Sequence, residues 1–188
     1  ASDVYKRQTL DKAYRLEKMI NEFFDITRYN LQEIALQKEP VDLYYLLVQL
    51  TDELLPVLEK NGNTVRLQAD EALTVPGDPD KLARVFGNVL KNAAAYSYPD
   101  TEIVITAEEK EGAVTLRFSN RGRTIPQEKL NSLFEKFYRL DEARTSGTGG
   151  AGLGLAIAKE IVSLHGGRIT AESIDETVTF TVTLPAQS

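Results

Sequence analysis

The sequence predicts an α+β protein, a two-layer α/β sandwich in which helices cover one side of a sheet. In several segments the apolar residues recur at helical spacing, and in others they alternate with polar residues around short turns. The hydrophobic content of 42% and charged content of 27% are those of an ordinary soluble globular protein. A chain of 188 residues is long enough for one good core and a small appendage.

Composition excludes several classes of function. The chain has no cysteine, which excludes disulfides and thiolate metal sites. Its net charge of -6 argues against binding to nucleic acid. No apolar run approaches the roughly 20 residues that span a bilayer, so we expect no membrane contact by this chain.

The first predicted helix runs from Leu10 to Leu31. Its apolar residues lie three and four positions apart, and neither Gly nor Pro interrupts it. The pattern leaves two interpretations open, a core helix of the main domain or half of an interhelical bundle. Pro40 ends this region, because the residue before a proline is disfavoured in helical geometry.

The middle of the chain alternates helices and strands. A helix is predicted from Leu43 to Lys60, where Asn61-Gly62 provides a C-cap signal, and a strand follows over residues 64–68. Asp78-Pro79 is an N-cap followed by proline at the first helical position, and it begins a helix that reaches about Ala95.

The C-terminal half is predicted to contain two hairpins, at 102–107 with 113–119 and at 168–173 with 177–184. A short helix over Leu130–Phe137 and a longer one over Leu153–Leu164 lie between them. The irregular stretch 120–150 is long for a compact domain, which favours a lid. The last strand should bury alternate residues: Val178, Phe180, Val182 and Leu184.

Two asparagines one turn apart are candidate ligands for a magnesium nucleotide. Asn88 and Asn92 share one face of the predicted helix, with Tyr96 one further turn along. Magnesium takes oxygen ligands and keeps several waters, so Asn92 suits the metal while Asn88 orients a phosphate or a water. The alternative is that such asparagines only cap backbone groups.

A glycine cluster at 147–154 precedes the helix that begins at Leu153. Glycines allow backbone N–H groups to approach phosphate oxygens, and a helix N-terminus favours anions. The Walker ending Gly-Lys-Ser/Thr is absent, and no strand enters directly before the glycines as in a dinucleotide-binding unit. A flexible linker is the alternative.

Polar and cationic residues between these motifs complete the candidate site. Asn120 lies in Phe118-Ser-Asn-Arg-Gly-Arg-Thr-Ile-Pro126, and its amide oxygen can accept a hydrogen bond from an adenine amino group. The segment Phe134-Glu-Lys-Phe-Tyr-Arg139 places cations where they could neutralise a transferring phosphoryl group.

The order of these four motifs resembles the N, G1, F and G2 boxes of sensor histidine kinases, over residues 40–185. The resemblance implies the ATP-binding fold shared with gyrase-type ATPases and Hsp90, with ATP and Mg²⁺ as ligands and Asn92 on the metal. Asn88 and Arg139 would support phosphoryl transfer. The implied nucleotide-binding residues are Asn88, Asn92, Tyr96, Asn120, Gly122, Ile125, Lys136, Tyr138, Arg139, Thr148, Gly150, Gly152, Leu153, Gly154 and Leu155.

The first helix is similar to the second helix of the family's dimerisation and phosphotransfer domain. The resemblance therefore divides the chain into a dimerisation remnant, 1–39, and a catalytic ATP-binding domain, 40–188. Segments 78–86, 135–141 and 147–159 are most similar to sensor kinases of vancomycin resistance. This implies a homodimer when intact, a response regulator as partner, and a cytoplasmic location within a bacterial membrane sensor.

The sequence departs from the family pattern at several positions. Asn120 stands where aspartate is usual, Thr124 where a second glycine is common, and Ala95 where many relatives have lysine. No histidine is followed by an acidic residue, so the phosphate acceptor is absent. We expect His165, the only histidine, to be a structural residue near a helix C-cap. A non-catalytic nucleotide-binding module is the alternative function. An ATP hydrolase is disfavoured because the amide of Asn88 cannot act as a base.

Overall fold

The computed structural model describes residues 2–30, 35–136, 138 and 153–187. Five helices and seven strands follow one another within these residues. Their bounds are α1 Ser2–Asn30, β1 Glu39–Asp42, α2 Leu43–Lys60, β2 Thr64–Ala69, β3 Thr74–Gly77, α3 Pro79–Tyr96, β4 Glu102–Lys110, β5 Ala113–Arg121, α4 Gln127–Ser132, α5 Gly154–Leu164, β6 Arg168–Ile174 and β7 Thr177–Pro185.

Five of the strands form a mixed sheet in the order β2-β4-β5-β7-β6. The pair β2–β4 is parallel, with α3 in the connection between them, and the other pairs are antiparallel. The two predicted hairpins are therefore confirmed as β4–β5 and β6–β7. The short strands β1 and β3 form a separate antiparallel ladder.

The helices α2, α3 and α5 cover one face of the sheet. Each contacts a different strand: α2 meets β2, α3 meets β5 and α5 meets β6. Along β5 the residues alternate between buried and more accessible positions, so only one face is covered. Phe86 of α3 and Phe118 of β5 are fully buried with their rings stacked, centroids 6.1 Å apart. The predicted two-layer sandwich is confirmed.

Two local predictions differ from the structure, and two short strands were missed. The helix expected over Leu130–Phe137 lies instead at Gln127–Ser132, because the chain becomes helical directly after Pro126. The strands β1 and β3 were not predicted. The helix expected from Leu10 already begins at Ser2. The predicted burial of alternate residues on the last strand is confirmed.

The long helix α1 contacts α5 and leaves most of its apolar side chains exposed. Among them are Leu16, Ile20 and Phe23, which belong to the apolar face seen in the sequence. A core helix would bury such side chains, so the structure favours the bundle interpretation of this segment. Within the described part of the chain, no helix is both long and apolar enough to cross a bilayer.

Candidate functional site: an asparagine-lined cavity on α3

Helix α3 forms one wall of a cavity of about 610 Å³. Its beginning is fixed by the Asp78 side chain, whose Oδ1 accepts a hydrogen bond from the Lys81 N–H at 3.2 Å. Pro79 follows at the first helical position, as predicted. The α3 residues that line the cavity are Ala83, Arg84, Gly87, Asn88, Lys91, Asn92, Ala95 and Tyr96.

The side chains of Asn88 and Asn92 each use their amide nitrogen within the protein. Asn88 Nδ2 donates to the Gly154 carbonyl oxygen at 2.9 Å, and Asn92 Nδ2 donates to the Asn88 carbonyl oxygen at 2.8 Å. The Oδ1 atoms are therefore the amide atoms left to face a ligand in the cavity. Carbonyl-type oxygens are the ligands that Mg²⁺ prefers.

Helix α5 begins directly beside Asn88. A Cβ on Gly154 would lie 3.5 Å from Asn88 Cγ, an ordinary van der Waals contact, so the start of the helix packs directly against this side chain. The N-cap residue Leu153 is fully buried and provides no side-chain cap. The first turn of α5 thus brings the positive end of its dipole to the cavity wall, which suits an anionic ligand.

Tyr96, the last α3 residue that lines the cavity, lies beside the end of β5, and the predicted site residues Asn120 and Gly122 there are not among the lining residues. A Cβ on Gly122 would collide with the Tyr96 carbonyl oxygen, so only glycine permits this approach of β5 to α3. Asn120, two residues earlier, is 1% exposed, and neither of its side-chain polar atoms has a hydrogen-bond partner. Buried polar atoms are normally paired, so this orphaned amide is expected to meet a ligand or water.

The structure brings together many but not all of the predicted site residues. Tyr138 and Leu155 line the cavity along with Asn88, Asn92, Tyr96 and Gly154. Ile125 and Leu153 are buried and do not line the cavity, and the Ile125 N–H donates to Ser173 Oγ. Lys136 is exposed and is not among the lining residues. Outside the described residues lie Arg139, Thr148, Gly150 and Gly152.

Several charged residues of the cavity were not predicted from the sequence. Arg84 and Lys91 lie one turn before and one turn after Asn88 on the same helix face, so helical spacing alone could have indicated them. Lys18 and Glu22 reach the cavity from α1. No sequence signal indicates these two, because only tertiary packing places α1 beside α5.

The only histidine has both ring nitrogens engaged. His165 Nε2 accepts from the Asp78 N–H at 3.0 Å, and the Nδ1–H donates to the Ile161 carbonyl oxygen at 2.8 Å. His165 is 4% exposed and caps the C-terminus of α5, which confirms the predicted structural role. Burial lowers the pKa of the imidazole and outweighs the opposing effect of the hydrogen bond to Ile161.

Asp78, whose backbone N–H donates to His165, is itself a buried titratable residue. Burial acts to raise its pKa, but hydrogen bonds from the Gln37 and Lys81 N–H groups and the Lys81 ammonium outweigh it. The pKa of the carboxyl is therefore lowered. The ionised carboxylate caps α3, while its backbone N–H is held by the neutral imidazole at the end of α5.

No group of three or more His, Asp or Glu side chains among the described residues could hold a metal ion on its own. A metal in this cavity would therefore take most of its ligands from a phosphate and from water. The amide oxygens of Asn88 and Asn92 fit that arrangement, because Mg²⁺ bound with nucleotides usually takes only one or two protein ligands.

A mixed sheet covered on one face by helices, with an asparagine-lined cavity between α3 and α5, defines a class of nucleotide-binding ATPases. Residues 77–188 match the family described as histidine kinase-, DNA gyrase B- and HSP90-like ATPases. The chain belongs to this family.

The chain is similar in sequence to sensor proteins of the VanS type. It is 62% identical over 182 residues to Sensor protein VanS of Enterococcus faecium, covering 97% of this chain and 47% of that protein. It is 48% identical over 181 residues to Sensor protein VanSC of Enterococcus gallinarum, covering 96% and 50%. The chain thus spans about half the length of the curated relatives it matches.

A solved structure shares the fold over nearly the whole chain. The histidine kinase ThkA, in complex with the response regulator protein TrrA, superposes with a TM-score of 0.77 at 23% identity. The similarity covers 97% of this chain and 50% of that one, so it includes α1 as well as the ATPase domain.

Proposed function

We propose that the chain is the catalytic ATP-binding region of a two-component sensor histidine kinase, of the type found in vancomycin resistance. It would donate the γ-phosphoryl group of ATP to a histidine on a dimerisation domain, for relay to an aspartate of a response regulator. Residues 1–39 would be part of the dimerisation domain and residues 40–188 the catalytic domain. The observation that carries the proposal is the presentation of two asparagine Oδ1 atoms beside the N-terminus of α5.

The residues of the cavity suit the two ends of a magnesium nucleotide. Asn92 Oδ1 would ligate Mg²⁺, and Asn88 Oδ1 would orient a phosphate or a metal-bound water. The metal would neutralise charge on the phosphates and hold them in line for transfer. The orphaned amide of Asn120 and the nearby Tyr96 would receive the base, and Arg139 would support the transferring group.

The partners follow from the same proposal. The exposed apolar face of α1 would pair in a helix bundle that makes the intact protein a homodimer. A response regulator would receive the phosphoryl group, and the complex of ThkA with TrrA supports this kind of partner. The chain would work as the cytoplasmic part of a membrane-anchored bacterial sensor.

Binding is tested by calorimetric titration with ATP in the presence of Mg²⁺. Asn92→Ala should weaken the magnesium-dependent affinity by about tenfold or more, equivalent to one lost charge-assisted contact. Asn131→Ala, the same change at an exposed asparagine of α4, should bind like the wild type. Wild-type protein that binds no nucleotide would refute the proposal.

Transfer is tested with γ-labelled ATP and a separate histidine phosphotransfer domain. We expect label on the added domain and none, in acid-labile form, on this chain, because the ring nitrogens of His165 are both engaged and buried. Acid-labile label retained by the chain alone would contradict this expectation. Nucleotide binding without transfer to any histidine-bearing domain would instead support a non-catalytic binding module.

A further inference from the structure

Helix α1 shields one side chain against the rest of the molecule, and that side chain is a carboxylate. Among the α1 side chains that the structure describes, only Glu22 is not exposed. Its side chain is 16% accessible, whereas that of Lys18, one turn earlier, is 64% accessible. Helix α1 contacts α5, and these two residues line the cavity. The packing of α1 against α5 therefore carries a negative charge into the candidate nucleotide site.

The Glu22 carboxylate is poorly paired in this position. Its Oε2 atom is buried and has no hydrogen-bond partner within the described part of the chain, although buried polar atoms are normally paired. Its Oε1 atom lies 4.0 Å from Lys18 Nζ, well beyond the distance of about 2.7–2.9 Å that is typical of a charge-assisted hydrogen bond. An unpaired carboxylate oxygen that is shielded from water opposes the docking of α1. The docked position of α1 is therefore held with little net free energy.

The same cavity contains the positive groups that a phosphate chain needs. Arg84 and Lys91 line it from α3, and the first turn of α5 adds the positive end of its dipole. The other acidic residue described in the lining, Glu53, is exposed to screening by solvent, and its Oε1 accepts from Gln49 Nε2 at 3.0 Å. A bound triphosphate and the shielded Glu22 carboxylate would thus be two anions attracted to one set of positive groups.

We propose that Glu22 is an autoinhibitory residue: docked α1 holds this carboxylate in the cavity that the phosphate chain of a nucleotide would enter. ATP binding and the docking of α1 on α5 then oppose each other, because like charges repel strongly in a partly desolvated site. Such coupling is reciprocal, so docked α1 lowers the affinity for ATP and bound ATP weakens the docking of α1 by the same factor. This inference rests on the proposed nucleotide-binding function and adds regulation of the same cavity by α1.

Calorimetric titration of the full chain with ATP and Mg²⁺ tests the effect of Glu22 on binding. Glu22→Gln keeps the shape of the side chain and removes its charge, so it should tighten ATP binding by about tenfold. The gain should be smaller for ADP, which carries one phosphate fewer. Glu17→Gln makes the same change at an exposed position of α1 outside the cavity lining, and it should leave both affinities unchanged.

Energy transfer between two fluorophores tests the position of α1. The chain has no cysteine, so the pair can be attached at Glu17→Cys and Asn131→Cys, which are both exposed positions outside the cavity lining. Saturating ATP with Mg²⁺ should change the transfer efficiency, because α1 leaves α5, and Mg²⁺ alone should not. When Glu22→Gln is added to the labelled protein, ATP should bind with little change in efficiency, since no carboxylate then opposes it. Circular dichroism verifies that each protein is folded.

Three outcomes would overturn the inference. Folded Glu22→Gln that binds ATP with the wild-type affinity would mean that the carboxylate does not oppose the phosphates. Weaker binding by this variant would mean that the carboxylate assists the nucleotide or its metal. The third outcome, an unaltered transfer efficiency at saturating ATP with Glu22 in place, would mean that α1 stays docked, and this measurement does not depend on the Glu22 variant. If neither the wild type nor Glu22→Gln binds nucleotide, the proposed function itself is refuted, so the two failures are distinguishable.

Discussion

Replacing His165 with leucine should destabilise the protein although it removes no group from the cavity. The imidazole connects two helix ends, since it accepts from the Asp78 N–H before α3 and donates to the Ile161 carbonyl in α5. Leucine would leave the buried Asp78 N–H without a partner, at about 1–3 kcal/mol, and remove a second hydrogen bond worth about 0.5–1.5 kcal/mol. The expected loss is about 2–4 kcal/mol, or about 5–15 °C in Tm for a chain of this size.

Urea unfolding of wild type and His165→Leu between about pH 5.5 and 8 measures this loss. The folded state holds the imidazole neutral and lowers its pKa below the ordinary 6.5, so the unfolded chain binds more protons in that range. The contribution of His165 is fully present above pH 6.5 and decreases as the pH falls toward the lowered pKa. The difference between the two proteins should therefore narrow in acid.

A matched control and a rescue variant sharpen the test. Ser163→Ala, at an exposed position of the same helix, should change the free energy of unfolding by less than about 0.5 kcal/mol. His165→Gln should recover part of the loss, because its amide oxygen can accept from the Asp78 N–H. If His165→Leu is as stable as the wild type at neutral pH, or if the difference widens in acid, the structural role given to this histidine is wrong.

Substitutions at other positions should either lower or raise the stability of the folded protein. Gly122→Ala should lower stability by about 1–3 kcal/mol and weaken nucleotide binding, because its Cβ would collide with the Tyr96 carbonyl; thermal unfolding and calorimetry measure both. Gly87→Ala should instead raise stability by about 0.5–1 kcal/mol, since a Cβ within α3 meets only an ordinary contact at 3.7 Å. Asn63→Ala should cost about 2–4 kcal/mol in urea unfolding, because this buried amide donates to two carbonyl groups of the segment before β4.

Most of the sandwich could be predicted because its elements carry strong local signals. The cap at Asp78-Pro79 and the turn after Lys60 mark helix ends that the structure reproduces. The ladder of β1 and β3 was missed for a physical reason. Both strands have four residues and contain a proline, Pro40 or Pro76, and a proline in so short a segment leaves little sequence signal for a strand.

The candidate site was predictable where one element carries the information and not where several meet. Asn88 and Asn92 were identified because their helical spacing puts them on one face. The engagement of the Asn88 amide by the Gly154 carbonyl has no local signature, since it joins α3 to α5. The same is true of Glu22, which reaches the cavity only through the packing of α1 against α5.

The two hydrogen bonds between α3 and α5 also bear on when the cavity forms during folding. Asn88–Gly154 and Asp78–His165 join residues that are 66 and 87 positions apart in the chain. Contacts of such high sequence separation form only after the intervening loop has been closed, which slows folding. A nucleotide that needs both helices recognises only chains in which this closure is complete. Its binding would then stabilise the whole domain by mass action, and nucleotide uptake during refolding would report when this closure is complete.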